Sequence, residues 1–293
     1  MNLFRFVKKC ATDQTAAWRS AKLVMRSLRG RVHWCLQPTA PLRYRLPDGG
    51  VLLLEPGHSF TIGFWPAVDQ YEPEVAAALH HYLKPGNTFI DAGANVGYFS
   101  VLAGRLVGPS GQVFSIEANP GTLLLLQRHL EINKFGNAIQ AALGRENGKT
   151  ILFEPKKGNC VGGDAYSSLR LGGLVQEEHA ISYPVPARRL DTLLVEQGIK
   201  KVDVLKIDIE GGELDALEFA PCMLSEMRPV IIMEYGTNTW PSFGATKERL
   251  YQLLHKHNYR AMDASANKTI DINDAAWGLP YVNFVLRPAE YKE

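Results

Sequence analysis

An acid and two glycines follow an apolar run in the stretch FIDAGANVGYFS, Phe89–Ser100. A dinucleotide site would need glycine at positions 93, 95 and 98 to cradle the pyrophosphate, and only Gly93 is present. Asp91 precedes that glycine by two residues, where a carboxylate repels a pyrophosphate and attracts an ammonium group. The pattern Asp91-x-Gly93-x-Asn95-x-Gly97 therefore predicts a loop whose backbone comes close to a positively charged group.

A second acid, Glu117, ends the next apolar run twenty residues after Gly97. An acid at this distance accepts hydrogen bonds from the ribose hydroxyls of a bound nucleoside. An ammonium site and a ribose site without a phosphate site describe S-adenosylmethionine, and no Walker G-K-[ST] loop follows. The alternative is that these acids only cap the helices that follow them. The predicted cofactor-binding residues are Asp91, Gly93, Ala94, Asn95, Gly97, Glu117, Ala118, Asn119 and Asp208.

The chain around these motifs alternates between strand and helix patterns. Strands are predicted at 88–91, 112–117, 138–143, 202–208, 229–235 and 281–288. Helices are predicted from Pro73 onwards and at 97–107, 120–134, 212–219 and 245–258. This alternation is typical of an α/β fold with a doubly wound, mostly parallel sheet, which binds ligands at the carboxyl ends of its strands.

Two further segments complete the predicted organisation. Residues 43–57 predict a β-hairpin with Asp48-Gly49 as its turn. Residues 154–180 are glycine-rich and too long for a plain connection, so they predict either a lid over the site or a disordered excursion. We divide the chain into a basic helical arm with the hairpin, residues 1–71, and an α/β domain, residues 72–293.

Five stretches together resemble the FkbM-type S-adenosylmethionine-dependent methyltransferases: FIDAGANVGYFS, IEANPG, LDTLL, VDVLKIDIEGGELDALEF and RPVIIMEYG. The resemblance covers roughly residues 72–288, and KIDIEGGE is its most specific stretch. It implies a Rossmann-like class I methyltransferase fold, with a seven-stranded sheet whose last two strands form an antiparallel pair. It also implies O-methylation of a hydroxyl on a sugar, a glycolipid or a polyketide-type natural product, and it leaves the acceptor open.

The stretch KIDIEGGE supplies the candidate catalytic residues. Asp208 ends a predicted strand and is expected to act as the base for the acceptor hydroxyl or as a ligand of the acceptor. Lys206 lies on the same face of that strand, where it would orient Asp208, bond the acceptor oxygen or form a structural ion pair. Glu210 is the third candidate, although the helix dipole also favours an acid there. With Glu234 these acids could hold a divalent cation, but their spacing does not establish one and no metal is predicted.

The sequence leaves two other functions open. A nucleotide-dependent oxidoreductase is disfavoured by the missing glycines of the pyrophosphate loop. A non-catalytic module that binds S-adenosylmethionine is disfavoured by the presence of Lys206 and Asp208. The absence of a [DNS]-P-P-[YFW] motif weakens an alternative in which a nucleobase amine is methylated.

Composition and charge bear on location. The 293 residues are 46% hydrophobic and 21% charged, without an apolar run long enough to span a bilayer. The four cysteines are scattered without C-x-x-C spacing, and the N-terminus lacks a signal-peptide core, so a cytoplasmic location is predicted.

The first 45 residues form a basic arm, with ten Lys and Arg against one acid, whereas the whole chain has a net charge of +2. Trp18, Ala21, Met25 and Leu28 recur there at helical spacing. Such a helix lies on an anionic membrane or binds nucleic acid, and the alternative is a helix that docks on the domain or on a partner subunit. The docking helix is the simpler interpretation, and peripheral contact of residues 1–45 with an anionic membrane is the functional alternative. No nucleic acid is expected, and the oligomeric state stays open, a homo-oligomer included.

Overall fold

The predicted alternation of strands and helices folds into one large sheet with helices on both faces. The computed structural model describes residues 28–30, 32–56, 71–156, 167–171, 177–264 and 268–291. The expectations for Trp18, Ala21 and Met25, and those for much of the predicted lid, lie outside these residues. Across the described ranges, no helix combines the length and the apolarity needed to span a bilayer.

The strands in chain order are β1 (Leu42–Arg45), β2 (Val51–Leu54), β3 (Thr88–Ala92), β4 (Gln112–Glu117), β5 (Asn137–Gln140), β6 (Ala142–Leu143), β7 (Gly148–Pro155), β8 (Ala180–Arg188), β9 (Val204–Ile207), β10 (Val230–Gly236), β11 (Tyr259–Asp263), β12 (Lys268–Thr269) and β13 (Tyr281–Pro288). The α-helices are α1 (Pro73–Tyr82), α2 (Tyr98–Val107), α3 (Pro120–Asn133), α4 (Leu190–Glu196), α5 (Glu213–Glu218) and α6 (Lys247–His257). Short 3-10 turns occupy Glu177–His179, Trp240–Phe243 and Ala275–Gly278, and a π-helical turn occupies Met223–Met227.

The large sheet has the order β12-β11-β13-β10-β9-β3-β4-β5. Neighbouring strands from β10 to β5 are parallel, and β13 runs antiparallel between β10 and β11. The chain builds outward from β3 to β5, then returns to the other side of β3 as β9, so the strand order switches between β3 and β9. This confirms the doubly wound, mostly parallel fold. The described sheet has eight strands rather than seven, because the two-residue strand β12 adds to the edge at β11.

One predicted strand, residues 138–143, is divided between two sheets. Its first part lies in β5 and pairs with β4. Ala141 still donates its backbone N–H to the carbonyl of Glu117 at 3.3 Å, and the chain then enters β6, which pairs with β8 in a separate sheet of order β6-β8-β7. The prediction of one continuous strand was therefore wrong, because a run of apolar residues does not reveal which partner each half pairs with.

The predicted hairpin forms, with Gly49 in the left-handed region at φ 93°. It is fastened to α3 by His129, whose Nε2 accepts the backbone N–H of Leu53 at 2.8 Å and whose Nδ1 donates to the carbonyl of Val96 at 2.6 Å. These two bonds fix a neutral tautomer, and burial lowers the pKa of the imidazole below its ordinary value. His129 thus connects the hairpin to the loop after β3. The division of the chain into two parts at residue 71 stays a prediction.

Two apolar cores cover the two faces of the large sheet. Ile90 and Leu205 point to the face covered by α4, α5 and α6. Phe89 and Val204 point to the opposite face, which is covered by α1, α2 and the hairpin. All residues of β3 and β9 are buried, as expected for central parallel strands covered on both sides.

Gly93 marks the place where the central strands β3 and β9 end together. It has φ +75°, and a Cβ added there would lie 1.7 Å from the carbonyl oxygen of Asp208. The backbone N–H of Asp208 in turn bonds the carbonyl of Ala92 at 3.1 Å. The close backbone approach predicted at Gly93 is therefore an approach to the chain itself, at the loop that follows β9.

We expect Gly93→Ala to lower the free energy of unfolding by about 3 kcal/mol or more, because backbone strain adds to the clash with Asp208. Gly244→Ala is the matched control, since Gly244 lies in the left-handed region at φ 64° and ψ 21° but has no atom within 4 Å of the added Cβ. It should cost only about 1 kcal/mol. Urea unfolding of both variants measures the difference, and equal losses would contradict the clash.

Candidate functional site

A cavity of about 520 Å³ opens at the carboxyl ends of the central strands. This volume suits a cofactor or a small-molecule substrate. The cavity is lined by six of the predicted cofactor-binding residues: Gly93, Ala94, Asn95, Glu117, Ala118 and Asp208. The other two catalytic candidates, Lys206 and Glu210, also line it. Asp91, Gly97 and Asn119 lie behind its wall instead.

Glu117 dominates one end of this cavity. Its Oε2 accepts the backbone N–H of Asn95 at 2.9 Å, and its Oε1 accepts that of Asn119 at 2.8 Å. A carboxylate has about four lone-pair sites, so hydrogen-bonding capacity is left for two ribose hydroxyls. Burial raises the pKa of Glu117 to about 7, against the lowering effect of the two amide bonds.

Asp91 is fully buried beneath that end. Its Oδ2 accepts a hydrogen bond from Ser100 Oγ at 2.6 Å, and its Oδ1 lies 3.9 Å from Lys206 Nζ. Burial raises the pKa of Asp91, and the lysine opposes this shift. The ammonium group that Asp91 faces in the structure is therefore that of Lys206, and a direct contact with the cofactor stays a prediction.

The other two residues behind the wall shape the helices that follow the cofactor loops. Gly97 begins α2 at φ 87°, and a Cβ there would lie 2.6 Å from Leu126. The Asn119 side chain caps α3 by accepting the backbone N–H groups of Gly121 and Thr122, and its Nδ2 donates to Glu154 at 3.1 Å. Gly97 and Asn119 thus act on backbone geometry as the N-caps of α2 and α3, and a direct contact of either residue with the cofactor stays a prediction.

Lys206 and Asp208 define the opposite end of the cavity. Lys206 Nζ lies 3.1 Å from Asp208 Oδ2 and 5.4 Å from the centre of the Phe99 ring. Only 4% of Lys206 is exposed, against 19% of the Asp208 side chain. Burial lowers the pKa of Lys206, but the carboxylates of Asp208 and Asp91 outweigh burial and raise it overall. The ammonium group thus stays charged and holds Asp208 in position as an acceptor of hydrogen bonds.

Two further carboxylates meet Asp208 at this end. One oxygen each of Glu72, Asp208 and Glu234 lies within 4.8 Å of the others. Burial raises the pKa of Glu72 to about 7 and that of Glu234 well above its usual range. Glu72 was not predicted as a site residue, because its position directly before the proline that starts α1 indicates only a helix boundary. The possible cation ligands considered from the sequence were Asp208, Glu210 and Glu234. The group in the structure differs from that set, because Glu72 takes the place of Glu210. Lys206 already supplies the positive charge beside Asp208, so no metal is assigned.

Glu213 shapes the loop that carries Asp208 and Glu210. Its Oε1 accepts the backbone N–H groups of Ile209 at 2.7 Å and Gly211 at 3.1 Å. Glu210 has φ 58°, lines the cavity, and has a pKa raised well above its usual range, first by burial and then by Asp208. The loop is therefore fixed by a buried acid, in the same way as Glu117 fixes the loop after β3.

The described part of the predicted lid contributes to the cavity wall. Strands β7 and β8, which the sequence left unassigned, pair along their length and bracket the segment. Ser167 and Leu169 line the cavity, and Ser168 forms a bridge to Phe153 in β7. Residues 157–166 and 172–176 lie outside the described ranges, so a lid stays a prediction.

The fold and the cavity define a class I methyltransferase: a doubly wound sheet with an antiparallel strand beside β10, and a pocket at the switch in strand order. A family model described as "Methyltransferase FkbM domain" matches residues 91–261. The chain belongs to this family of S-adenosylmethionine-dependent methyltransferases, which confirms the resemblance found in the sequence.

Individual relatives share about a third or less of their aligned residues with this chain. "Methyltransferase 1" of Beauveria bassiana (strain ARSEF 2860) is 32% identical over 148 residues, 45% of this chain and 58% of that protein. "Methyltransferase sdnD" of Sordaria araneosa is 30% identical over 164 residues, 46% of this chain and 61% of that protein. The chain thus spans less than two thirds of the length of these relatives. A solved FkbM methyltransferase from Methylobacillus flagellatus KT is 14% identical, with 76% of this chain and 53% of that chain covered and a TM-score of 0.43.

The raised pKa of Glu117 predicts a pH-dependent affinity for S-adenosylhomocysteine. Only the ionised carboxylate accepts hydrogen bonds from both hydroxyls, so affinity should be highest above pH 7 and fall as the pH drops to 6. Glu117→Gln should bind about 10- to 100-fold more weakly and without this pH dependence. Calorimetry at several pH values tests this, with the exposed Glu131→Gln as control. A flat wild-type profile would contradict it.

Proposed function

We propose that this protein is an O-methyltransferase that transfers the methyl group of S-adenosylmethionine to a hydroxyl of a sugar, a glycolipid or a polyketide-type natural product. The observation that carries the proposal is the Lys206–Asp208 pair, which lies in the same cavity as Glu117 but at the end of β9, two strands away from β4. One end of the cavity is suited to a nucleoside, and the other presents a carboxylate with a fixed cation. This is the arrangement that proton removal from a bound hydroxyl requires.

The residues at the Glu117 end fit the cofactor. Glu117 would accept the ribose hydroxyls, and the loop from Gly93 to Asn95 would pack against the bound molecule without a pyrophosphate cradle. When bound, S-adenosylmethionine supplies a methyl group that is activated by the sulfonium charge. The protein's part is to hold the two reactants in line, which is worth on the order of 10⁵ M or more in effective molarity.

Asp208 would act as the base. Its carboxylate takes the proton of the acceptor hydroxyl, and Lys206 orients this carboxylate through the bond at 3.1 Å. A positioned base contributes roughly 10²- to 10⁴-fold to the rate. The neighbouring carboxyl groups of Glu72 and Glu234 form hydrogen bonds with hydroxyl groups in either protonation state, which supports an acceptor with several hydroxyl groups and disfavours an anionic one.

We also propose that the basic arm brings the protein to anionic membrane surfaces. Residues 28–30 and 32–36 are helical, and Leu28, Val32 and Leu36 expose 55%, 51% and 77% of their surface. Trp34 packs on the domain and donates a hydrogen bond to the carbonyl of Ala40 at 3.2 Å. The helix thus presents an apolar stripe on its outer side, next to the excess of positive charge in residues 1–45.

Asp208→Asn should lower turnover by roughly 10²-fold or more, because it keeps the size of the side chain but removes the basic carboxylate. Methyl-labelled S-adenosylmethionine incubated with host extract gives the readout, and identification of the labelled product reveals the acceptor. Binding of S-adenosylhomocysteine should change little, and a chelator should leave the wild-type activity in place. Near-normal turnover of Asp208→Asn would rule this residue out as the base. In that case Glu210 and Glu234 would be the remaining candidates for the base. If the wild type itself transfers no label, a non-catalytic module that binds S-adenosylmethionine would be favoured.

The membrane proposal predicts that vesicles with anionic lipids retain the full-length protein better at low salt than at high salt. Neutral vesicles are the control. Replacing Leu28, Val32 and Leu36 together by serine should weaken retention without changing the charge. Equal retention of a form that lacks residues 1–27 would contradict the proposal and leave a docking role for the arm.

A further inference from the structure

Glu72 faces Asp208 across the acceptor end of the cavity. It has φ 40° and ψ 65°, a left-handed conformation that is uncommon for a residue other than glycine, and Pro73 follows it as the first residue of α1. This backbone turns the Glu72 side chain toward the ends of β9 and β10. As a result its carboxylate comes within 4.8 Å of those of Asp208 and Glu234.

The neighbouring residue Tyr71 holds this segment in place. Its ring stacks on Phe99 with the ring centres 5.5 Å apart and meets Tyr98 edge-on at 5.3 Å. Its side chain also hydrogen-bonds the Glu72 carboxylate. Because Lys206 Nζ packs over the same Phe99 ring, one aromatic residue supports both the lysine beside Asp208 and the segment that carries Glu72.

Charged and titratable groups surround Glu72 on each element packed against it. They are Lys206 and Asp208 at the end of β9, Glu210 in the loop that follows, Glu234 in β10, and Tyr71 and Glu74 on its own segment. Burial raises its pKa to about 7, Asp208 adds to that shift, and Lys206 and Tyr71 oppose it. Glu72 is thus poised to gain or lose a proton near neutral pH.

Turnover requires a route for the proton that Asp208 takes up. In the proposed reaction the O–H bond of the acceptor breaks, the proton goes to Asp208, and the new O–CH₃ bond replaces an S–CH₃ bond whose electron pair stays on sulfur. Lys206, which is fully charged, donates to Asp208 Oδ2 and has no lone pair to receive the proton. The proton must therefore leave toward another acceptor.

We propose that Glu72 receives this proton from Asp208 and passes it to solvent, so that Glu72 serves as the proton-relay residue of the site. The inference rests on the proposed O-methyl transfer. The separation of at most 4.8 Å is one that a single water molecule bridges, since two hydrogen bonds of about 2.8 Å span it. In the relay the O–H bond on Asp208 breaks as an O–H bond on Glu72 forms, and Asp208 returns to its ionised state.

The first test needs no acceptor. In protein labelled with carbon-13 at glutamate carboxyls, the Glu72 signal, assigned by its loss in Glu72→Gln, should titrate near pH 7. In Asp208→Asn the titration should move toward the ordinary value near 4.5, because the neighbouring negative charge is gone. A Glu72 signal that titrates near 4.5 in the wild type, or one that Asp208→Asn leaves in place, would overturn the proposal.

The second test compares Glu72→Gln with Glu234→Gln, which removes a carboxylate from the same cluster. The assay uses host extract and labelled S-adenosylmethionine at a concentration that saturates the site at every pH, so that the ionisation of Glu117 does not affect the rate. Wild-type turnover should then rise with pH through about 7, as Glu72 ionises. Glu72→Gln should lose this rise and turn over about 10-fold or more slowly, whereas Glu234→Gln should retain the rise. If turnover of Glu72→Gln still rises with pH through about 7, or if only Glu234→Gln loses this rise, the relay is wrong.

A third variant separates the relay from a structural role. Glu72→Gly suits the left-handed backbone and leaves space beside Asp208, so added formate should restore part of its turnover. Formate that has no effect on Glu72→Gly, although the wild type is active, would contradict the relay. Failure of the wild type to bind S-adenosylhomocysteine or to transfer label would instead overturn the proposed function, and the carboxyl titration would still decide whether Glu72 and Asp208 are coupled.

Discussion

The buried ammonium group of Lys206 is the interaction on which the site depends. It lies on the central strand β9, with Asp91 of β3 at 3.9 Å and Asp208 at 3.1 Å. Asp91 is fully buried and also accepts a bond from Ser100, so loss of the lysine would leave its carboxylate without a counter-charge, at a cost of about 3–5 kcal/mol. The same cation thus stabilises the junction of β3 and β9 and holds the Asp208 carboxylate in the cavity wall.

Buried glutamates fix the two loops that form the cavity wall. Glu117 binds backbone amides on both sides of the cofactor end, and Glu213 does the same for the loop after β9. Burial raises the pKa of each to about 7. A carboxylate that accepts amide bonds keeps a loop in one conformation without an apolar core behind it. The loops can therefore be rigid and still present backbone and carboxylate atoms to a ligand.

The sequence predicted the large sheet because its strands are continuous apolar runs that alternate with helices, and the topology of such sheets brings strand ends together. For that reason Lys206, Asp208 and Glu117 were expected near one another, and all three line the cavity. Pairing between distant segments was not predictable in the same way: β6 leaves the large sheet, and β7 and β8 carry no strong local pattern. Glu72 was missed because only the three-dimensional fold brings the start of α1 to the ends of β9 and β10. The intramolecular partner of Asp91, Lys206, was not predictable because it lies far away in sequence.

The two ends of the cavity differ in their relation to the family. Residues 91–261, which the family model matches, include the loop after β3, Glu117, Lys206 and Asp208. Several residues at the other end come from outside this range, namely Tyr71, Glu72, Glu74, Tyr281, Val282 and Asn283. The first turn of α1 is fixed to β13 by the bond from Asn283 Nδ2 to Glu74 at 3.0 Å. If methyl transfer proceeds as proposed, the matched residues supply the cofactor end and the base, and the acceptor end depends on segments outside the matched range. Membership of the family therefore implies methyl transfer more strongly than it implies any one acceptor.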